Sequence, residues 1–292
     1  LLAALMLTGA LAGCGSNASA SDTQAADGAD SGVSGAITVI SREDGSGTRG
    51  AFIELTGVEE KTADGKKVDN TTADAEIANK TDVVLTSVAG NEKAIGYISL
   101  GALNDTVKAV KVDGAEATVD NVKAGAYKLS RPFNIATKGE PTGVAKDFIN
   151  FILSKDGQAV VTDNKYIAVN DAAESFVSDG SSGQIAVGGS SSVSPVMEKL
   201  IEAYKSVNPN ASIDLQTSDS TSGMTGTMDG TFAIGMASRE LKDEEAAQLT
   251  GTAIALDGIA VIVNPANTID ELSMDQIKSI YVGDITDWGD LA

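Results

Sequence analysis

A short polar loop between an apolar run and a helical pattern constrains the fold of this chain more than any other segment. Residues 41–48 read Ser-Arg-Glu-Asp-Gly-Ser-Gly-Thr, with an apolar run at 37–40 before them and a helical pattern at 49–55 after them. A strand, a glycine- and serine-rich loop and a helix start present free N–H groups, hydroxyls and one guanidinium together. This favours a small tetrahedral oxyanion. The loop lacks the Gly-Lys-Ser/Thr ending of a nucleotide P-loop, and an ordinary turn before a helix is the alternative.

The composition excludes several kinds of chemistry. Among 292 residues there is no His, and Cys14 is the only Cys. Ser-His-Asp catalysis, Cys-His catalysis and most zinc sites are therefore excluded, and we expect no metal and no cofactor. The formal net charge of −20 argues against nucleic acid as a partner. It does not argue against a small anion, because local dipoles govern a buried site. Carboxylate-only catalysis stays open.

The N-terminal segment indicates export. Residues 1–14 are apolar and end in Leu-Ala-Gly-Cys, which predicts the hydrophobic region of a signal peptide, with the sequence beginning inside it. This ending resembles the bacterial lipobox, in which the cysteine is lipidated; a signal peptide with an incidental cysteine is the alternative. Residues 15–34 are rich in Ser, Ala, Gly and Asp and predict a disordered, flexible tether. We expect an exported protein, lipid-anchored through Cys14 at the outer face of the cell membrane.

Beyond the tether, short β-branched runs alternate with helical patterns, which is typical of α/β architecture. Strands are predicted at 37–40, 83–86, 94–99, 107–112, 184–187, 212–216 and 259–263. The apolar spacing at 144–154 predicts a helix with one buried face. A second helix is predicted to start at Pro195 with Ser194 as its N-cap, and a third to run from a Ser273 cap to about Tyr281.

Three further hydroxyl-rich turns repeat the pattern of the first loop. Residues 188–195 read Gly-Gly-Ser-Ser-Ser-Val-Ser-Pro, residues 218–223 read Ser-Asp-Ser-Thr-Ser-Gly, and residues 234–241 read Ile-Gly-Met-Ala-Ser-Arg-Glu-Leu. Small residues let the backbone approach a ligand, and hydroxyls add hydrogen-bond donors. Each turn alone has a capping or turn explanation. Four of them in one chain, two carrying an Arg, favour a shared anion site.

These four turns closely resemble those of the phosphate-binding (PstS-type) proteins of bacterial phosphate ABC transporters. The resemblance covers nearly everything after residue 35. Residues 256–265 resemble the family's first crossing strand, residues 95–99 its second, and residues 281–288 the turn that normally runs into the Arg-x-Asp-Gly-Ser-Gly-Thr loop. The resemblance implies an α/β, two-lobed periplasmic-binding-protein fold (Venus flytrap, type II) with phosphate held in the cleft between the lobes.

The order of these segments differs from that of the family. There the Ser-Ser-Val turn is near the N-terminus and the loop lies mid-chain, whereas here the loop comes first. We interpret this as a circular permutation broken in a surface loop, with the old termini fused near 177–183. A truncated tandem array or a gene-assembly artefact is the alternative. The permuted order predicts one lobe from 36–103 plus 257–292 and a continuous second lobe over 104–256.

Carried over motif by motif, the resemblance also implies the phosphate ligands. They are Arg42, Asp44, Ser46, Gly47, Thr48, Ser191, Ser192, Val193, Ser220, Ser238 and Arg239. Arg42 would present two parallel N–H donors. Asp44 would lie beside it and accept the proton of phosphate, which sulfate lacks; a surface Asx-turn is the alternative. Arg239 stands where one form of the family has an Asp. We hypothesise that it contacts the anion, the alternative being an outward turn to pair with Glu240 or a neighbouring carboxylate.

The resemblance therefore implies an extracellular, monomeric solute-binding lipoprotein, not an enzyme, that captures inorganic phosphate and delivers it to the permease of an ABC importer. Half-sites on two lobes would couple binding to closure. Three alternatives stay open. They are a binding protein for sulfate, molybdate or another oxyanion, a phosphate-ester hydrolase, and a surface adhesin or sensor on the same fold.

Overall fold

The computed structural model describes residues 33–170 and 172–291. The predicted signal segment 1–14 with Cys14, and the predicted tether up to residue 32, lie outside the described residues. None of the helices within the described ranges has the length and apolar content needed to cross a membrane.

Strands and helices alternate along the chain as the α/β pattern predicts. The strands are β1 (Thr38–Arg42), β2 (Glu59–Lys61), β3 (Lys67–Asp69), β4 (Glu76–Ala78), β5 (Ala94–Ser99), β6 (Lys108–Ala109), β7 (Lys111–Val112), β8 (Ser130–Thr137), β9 (Gly183–Ser190), β10 (Ala211–Ser218), β11 (Ile234–Ala237), β12 (Thr250–Val263) and β13 (Glu271–Leu272). The α-helices are α1 (Gly47–Thr56), α2 (Thr81–Ala89), α3 (Val119–Lys123), α4 (Gly143–Leu153), α5 (Lys155–Asp163), α6 (Ser194–Val207), α7 (Ser220–Met228), α8 (Asp243–Ala246) and α9 (Met274–Val282). Short 3₁₀ helices lie at Leu100–Ala102 and Trp288–Leu291.

One long strand links two halves of the main sheet, whose order is β10-β9-β11-β8-β12-β5-β1-β4. The first part of β12, Thr250 to Gly258, pairs antiparallel with β8, and its last part, Ile259 to Val263, pairs antiparallel with β5. Strand β12 therefore passes from one half of the sheet into the other.

The buried apolar side chains form two main clusters, one on each half of this sheet. The first draws on residues 39–129 and 259–288 together with Ile167, and in it the rings of Phe52 and Tyr97 stack with centroids 3.9 Å apart. The second draws on residues 133–255 and contains Phe148, Phe151 and Tyr204. The chain passes between the two clusters in the crossing strands β8 and β12, so the described residues form two lobes, built mainly on 33–129 plus 257–291 and on 130–256.

Two expectations about the lobes are wrong. The lobe boundary predicted at residue 104 lies near residue 130, because Val110, Val122 and Leu129 belong to the first core cluster. The segment is held there by β6 pairing with β12 and β7 pairing with β13. The second crossing strand is β8 rather than 95–99, since β5 pairs with β1 and with the first-lobe part of β12.

Several local predictions can also be compared with the structure. The strand predicted at 83–86 is part of helix α2, because Val84 and Val88 are buried at helical spacing while Val83 is 40% exposed. β-branched residues favour strands in general, and here their burial on one helix face outweighs that preference. Ser273 caps α9 as predicted, whereas Ser194 is the first residue of α6 rather than its cap.

Candidate functional site

Four helix N-termini meet between the two lobes. In the first lobe, β1 and β4 are parallel with Arg42 opposite Ala78 at their ends, and helices α1 and α2 follow. In the second lobe, β9 and β10 are parallel with Ser190 opposite Ser218, and helices α6 and α7 follow. The positive ends of four helix dipoles and their free N–H groups are thus directed to one place, which favours an anion there.

Side-chain hydroxyls fill the space between these helix ends. The hydroxyl cluster consists of Thr48, Thr81, Ser190, Ser191, Ser192, Ser220 and Ser238, all of them buried. Thr48 Oγ1 lies 2.8 Å from Ser192 Oγ across the lobes, and Thr81 Oγ1 lies 3.4 Å from the same oxygen. Hydroxyls can reorient to donate or accept, so this cluster can exchange its internal bonds for bonds to an anion.

Within the second lobe the cluster is held by its own hydrogen bonds. Ser190 Oγ donates to Ser238 Oγ at 2.9 Å, and the amide of Ser238 donates to Ser220 Oγ at 3.1 Å. The amide of Val193, predicted as an anion donor, instead donates to the carbonyl of Ser190 at 3.0 Å. Val193 therefore closes the turn and presents no amide to the cluster.

Glycine at position 47 allows the lobes to approach closely. A Cβ there would lie 2.8 Å from Ser238 Oγ and 3.1 Å from Arg239 Cγ, and closer still to Ser220 Oγ. Beside this contact, the amide of Thr221 donates to the carbonyl of Gly45 at 3.1 Å. The first and third turns are thus in direct backbone contact across the cleft.

Arg42 is buried and reaches the hydroxyl cluster. Its Nη2 donates to Ser191 Oγ at 3.1 Å, across the lobes. Its Nε and Nη2 each donate to a carboxylate oxygen of Glu43 at 2.8 Å, and Nε also donates to the carbonyl of Ala78. Two bonds to one carboxylate fix the plane of the guanidinium. The main-chain N–H of Arg42 donates to the hydroxyl of Tyr97 at 3.1 Å.

Asp44 does not lie beside Arg42, contrary to our expectation. Its side chain is 98% exposed and pairs with Arg49, with 3.0 Å between Oδ1 and Nη1. The physical reason is the position of Glu43, which takes the fork of Arg42, while a turn closed by the Ser46 amide and the Glu43 carbonyl directs Asp44 outward. Ser46 is buried and caps α1 by accepting from the amide of Arg49.

Arg239 takes the outward orientation rather than the hypothesised contact with the cluster. Its Nη1 and Nη2 donate to the two carboxylate oxygens of Glu245 at 2.7 and 2.8 Å. Nη1 also donates to the carbonyl of Glu240, and Nη2 donates to Thr221 Oγ1 at 3.3 Å. The partner is a neighbouring carboxylate, buried in α8, that sequence spacing alone did not single out.

A cleft of about 640 Å³ opens beside the hydroxyl cluster and is lined by both lobes and by the crossing strand β8. On the crossing strands, Arg131 of β8 lies opposite Asp257 of β12, with 3.2 Å between Arg131 Nη2 and Asp257 Oδ2, and Ser99 Oγ donates to Asp257 Oδ1 at 2.9 Å. Burial raises the pKa of Asp257 to about 6, against the opposing effect of the Arg131 charge. The pair therefore links the two crossing strands where the chain passes between the lobes.

The structure adds residues that sequence reasoning missed. Thr81 is the first residue of α2 and precedes the segment 83–86 that we misassigned as a strand, and Ser190 lies next to the predicted pair Ser191 and Ser192. Glu43 and Glu245 hold the two arginines. For Glu43, its position next to Arg42 in the loop indicated a candidate carboxylate partner, but the sequence did not show whether Glu43 or Asp44 would take that place. For Glu245, nothing in the sequence indicated this role. No group of three or more His, Cys, Asp or Glu in the described part of the chain could hold a metal ion.

Known proteins resemble this chain along most of its length. Residues 17–156 and 175–292 match the family model described as PBP superfamily domain. The phosphate-binding protein PstS 2 of Streptococcus agalactiae serotype V is 50% identical over 99% of this chain and 95% of that protein. The crystal structure of a phosphate-binding protein of a phosphate ABC transporter from Streptococcus pneumoniae superposes with a TM-score of 0.71 at 50% identity. That match covers 88% of this chain and 100% of the other.

The phosphate-binding protein PstS of Bacillus subtilis is 34% identical over a shorter stretch, 46% of this chain and 42% of that protein. The family model, the near-full-length identity and the superposed structure agree on the α/β periplasmic-binding-protein fold. The chain belongs to the PBP superfamily and, within it, to the family of the PstS phosphate-binding proteins.

Proposed function

We propose that this protein binds inorganic phosphate in the hydroxyl cluster and delivers it to the permease of an ABC importer. One observation carries the proposal: four helix N-termini, buried hydroxyls from both lobes and the Arg42 guanidinium converge on one place. The names of the relatives support the same ligand and the same kind of transporter. A binding protein in a transport system needs a Kd in the micromolar range or below, which corresponds to a binding free energy of about −8 kcal/mol or more negative.

The proposed ligand shell differs in part from the one expected from sequence. Arg42, the Gly47 amide and the hydroxyls of the cluster would donate to the anion, with Ser46 contributing at the helix start. Asp44 would remain outside the shell, because it is exposed. Arg239 would act through Glu245 and shape the second lobe. Since the donors belong to both lobes, the complete shell exists in the closed form, and binding would stabilise closure.

Glu43 would take the role that Asp44 was expected to have. Its carboxylate and Ser191 both accept from Nη2 of Arg42, so an anion that replaces Ser191 on this nitrogen lies close to Glu43. A protonated phosphate can donate its hydrogen to that carboxylate. Sulfate cannot, and its oxygen would face the carboxylate oxygens of Glu43 with no hydrogen between them. We propose Glu43 as the residue that favours phosphate over sulfate.

The circularly permuted order is also a proposal. The S. agalactiae relative aligns through nearly its whole length, so the order is shared with it, whereas the B. subtilis protein aligns over less than half, as two permuted chains would. In addition, the amide of Trp288 donates to the carbonyl of Gly35, and the amide of Ile37 to the carbonyl of Thr286. These two segments are therefore close enough to be joined. A chain relinked from residue 291 to residue 35 and opened at residue 183 should still bind phosphate.

Export, a lipid anchor at Cys14 and a monomeric state complete the proposal. The relatives are binding components of transporters, which agrees with a location outside the membrane. Replacing Cys14 with Ala should release the protein into the medium, and metabolic labelling with a fatty acid should mark only the parent chain. If the label is absent from the parent chain, the anchor is wrong.

Isothermal titration calorimetry tests the ligand directly. Phosphate should bind with a Kd in the micromolar range or below, and sulfate and molybdate should compete weakly. Tight molybdate or sulfate binding with weak phosphate binding would reassign the ligand. A chromogenic phosphate ester should show no turnover, and measurable hydrolysis would favour an enzyme.

A further inference from the structure

We infer that Arg49 is a positioning residue that holds the anion loop, residues 42–46, in its binding conformation. The inference rests on the proposed function, since it concerns the same loop. Arg49 is the third residue of α1, and its side chain is only 14% exposed. It folds back over the loop rather than into the hydroxyl cluster.

Three groups accept hydrogen bonds from the Arg49 guanidinium. Nη1 donates to the carbonyl of Arg42 at 2.7 Å and to Asp44 Oδ1 at 3.0 Å, and Nε donates to Asp69 Oδ2 at 2.9 Å. The first contact fixes the end of β1, and the second fixes the turn that follows. Because α1 itself begins at Gly47, one side chain ties together the strand end, the turn and the helix start.

Asp69 anchors this arrangement from the β2–β3 hairpin. Its Oδ1 accepts from the amide of Thr71 at 2.8 Å and from Thr71 Oγ1. Burial works against ionisation, but these hydrogen bonds and the Arg49 charge hold the pKa of Asp69 below its usual range. The carboxylate is thus fixed and charged at neutral pH. The hairpin supports the loop through Arg49, which gives the hairpin a role in binding without contact to the ligand.

Within its own lobe, the other side-chain contacts of the loop are concentrated at Arg42, which bonds to Glu43, Ala78 and Tyr97. The bonds of the loop to Ser191 and Thr221 cross the cleft and would be lost when the lobes are apart. The Glu43 amide donates to the carbonyl of Ala78, and the Ser46 amide donates to the carbonyl of Glu43. Without Arg49 the loop would have more conformations available when the lobes are open. Ordering the loop would then cost conformational entropy on binding and weaken the affinity for phosphate.

The test compares Arg49→Gln, Arg49→Lys and Asp69→Asn with a matched control. Lys278→Gln removes another ion pair to the same hairpin, between Lys278 Nζ and Glu60 Oε1 at 2.8 Å, which makes no contact with the loop. Calorimetry with inorganic phosphate should show at least tenfold weaker binding for Arg49→Gln and a smaller loss for Asp69→Asn. Arg49→Lys should recover part of the affinity, and Lys278→Gln should bind like the parent. Equal affinity of Arg49→Gln and the parent, or an equal loss in Lys278→Gln, would overturn the inference.

Amide hydrogen exchange of the ligand-free proteins separates this inference from the proposed function. Exchange of residues 43–46 should be faster in Arg49→Gln than in Lys278→Gln, because local opening of the loop becomes easier. Unchanged exchange would overturn the positioning role even if phosphate is the ligand. Faster exchange in a protein that binds no phosphate would instead overturn the proposed function and leave the positioning role supported.

Discussion

The substitution Gly47→Ala should hinder closure of the lobes without removing a hydrogen-bond donor from the site. An alanine at position 47 keeps its amide, yet its Cβ would lie 2.8 Å from Ser238 Oγ and closer to Ser220 Oγ. Both oxygens are held by hydrogen bonds within the second lobe and cannot retreat freely. At Gly50, one turn further along the same helix, a Cβ would lie 3.7 Å from Arg239 Cδ, an ordinary contact. Gly50→Ala is therefore the matched control.

The expected size of the effect follows from these distances. Overpacking by a methyl group costs about 1–3 kcal/mol, and here only the closed form would carry that cost. Phosphate binding by Gly47→Ala should therefore weaken about 5–150-fold. Gly50→Ala should bind phosphate as the parent does. Its free energy of unfolding should be higher than that of the parent by about 0.5–1 kcal/mol, the usual gain of alanine over glycine inside a helix.

Calorimetry with phosphate and small-angle scattering with and without it would measure affinity and closure on the same three proteins. The parent and Gly50→Ala should become more compact when phosphate is added, and Gly47→Ala should do so incompletely. If Gly47→Ala binds phosphate as tightly as Gly50→Ala, the first and third turns do not close on each other during binding. In that case the convergence seen here is not the binding-competent arrangement.

Two further substitutions test the arginine partners. In competition calorimetry at neutral pH, Glu43→Gln should lower the ratio of the sulfate Kd to the phosphate Kd by at least tenfold, about 1.4 kcal/mol. An equal effect on the binding of both anions would mean that Glu43 orients Arg42 and does not select between the anions. Arg239→Gln should leave phosphate affinity within a few-fold of the parent but lower the free energy of unfolding by about 3–5 kcal/mol in denaturant titrations, because Glu245 loses its buried partner. A large loss of phosphate affinity in Arg239→Gln with an unchanged free energy of unfolding would mean that Arg239 contacts the anion.

The sequence predicted the parts of the site that local patterns determine. A strand, a Gly-Ser loop and a helix start are contiguous in the chain, so the loop around Ser46 and the cap at Ser273 could be predicted from short segments. The meeting of four such turns could not be deduced from any one of them. It followed from the family resemblance, and the hydrogen bonds between Thr48 and Ser192 agree with it.

The wrong predictions share a physical cause. In each case the local sequence was compatible with two structures, and contacts with distant parts of the chain determine which of them forms. Glu43 and Asp44 are adjacent carboxylates, and only the end of β1, paired with β4, determines which of them faces Arg42. The two-residue strands β6 and β7 have no strong pattern of their own and are placed by β12 and β13. Helix α2 looked like a strand because its composition is β-branched, while its burial follows helical spacing.

Salt should affect phosphate capture in the opposite direction from that of a basic anion-binding protein. Each of three arginines at the cleft is paired with a carboxylate, Arg42 with Glu43, Arg131 with Asp257 and Arg239 with Glu245. The charges of these arginines are therefore neutralised locally, and Arg42, the hydroxyls and the helix dipoles act on the anion only at short range, where salt screens little. The chain as a whole carries a net charge of −20 that repels the anion at long range. Raising the salt concentration should speed association in stopped-flow measurements and leave the dissociation rate nearly unchanged. Slower association at high salt would mean that an unpaired positive charge guides the anion, and that the arginine pairs open before it arrives.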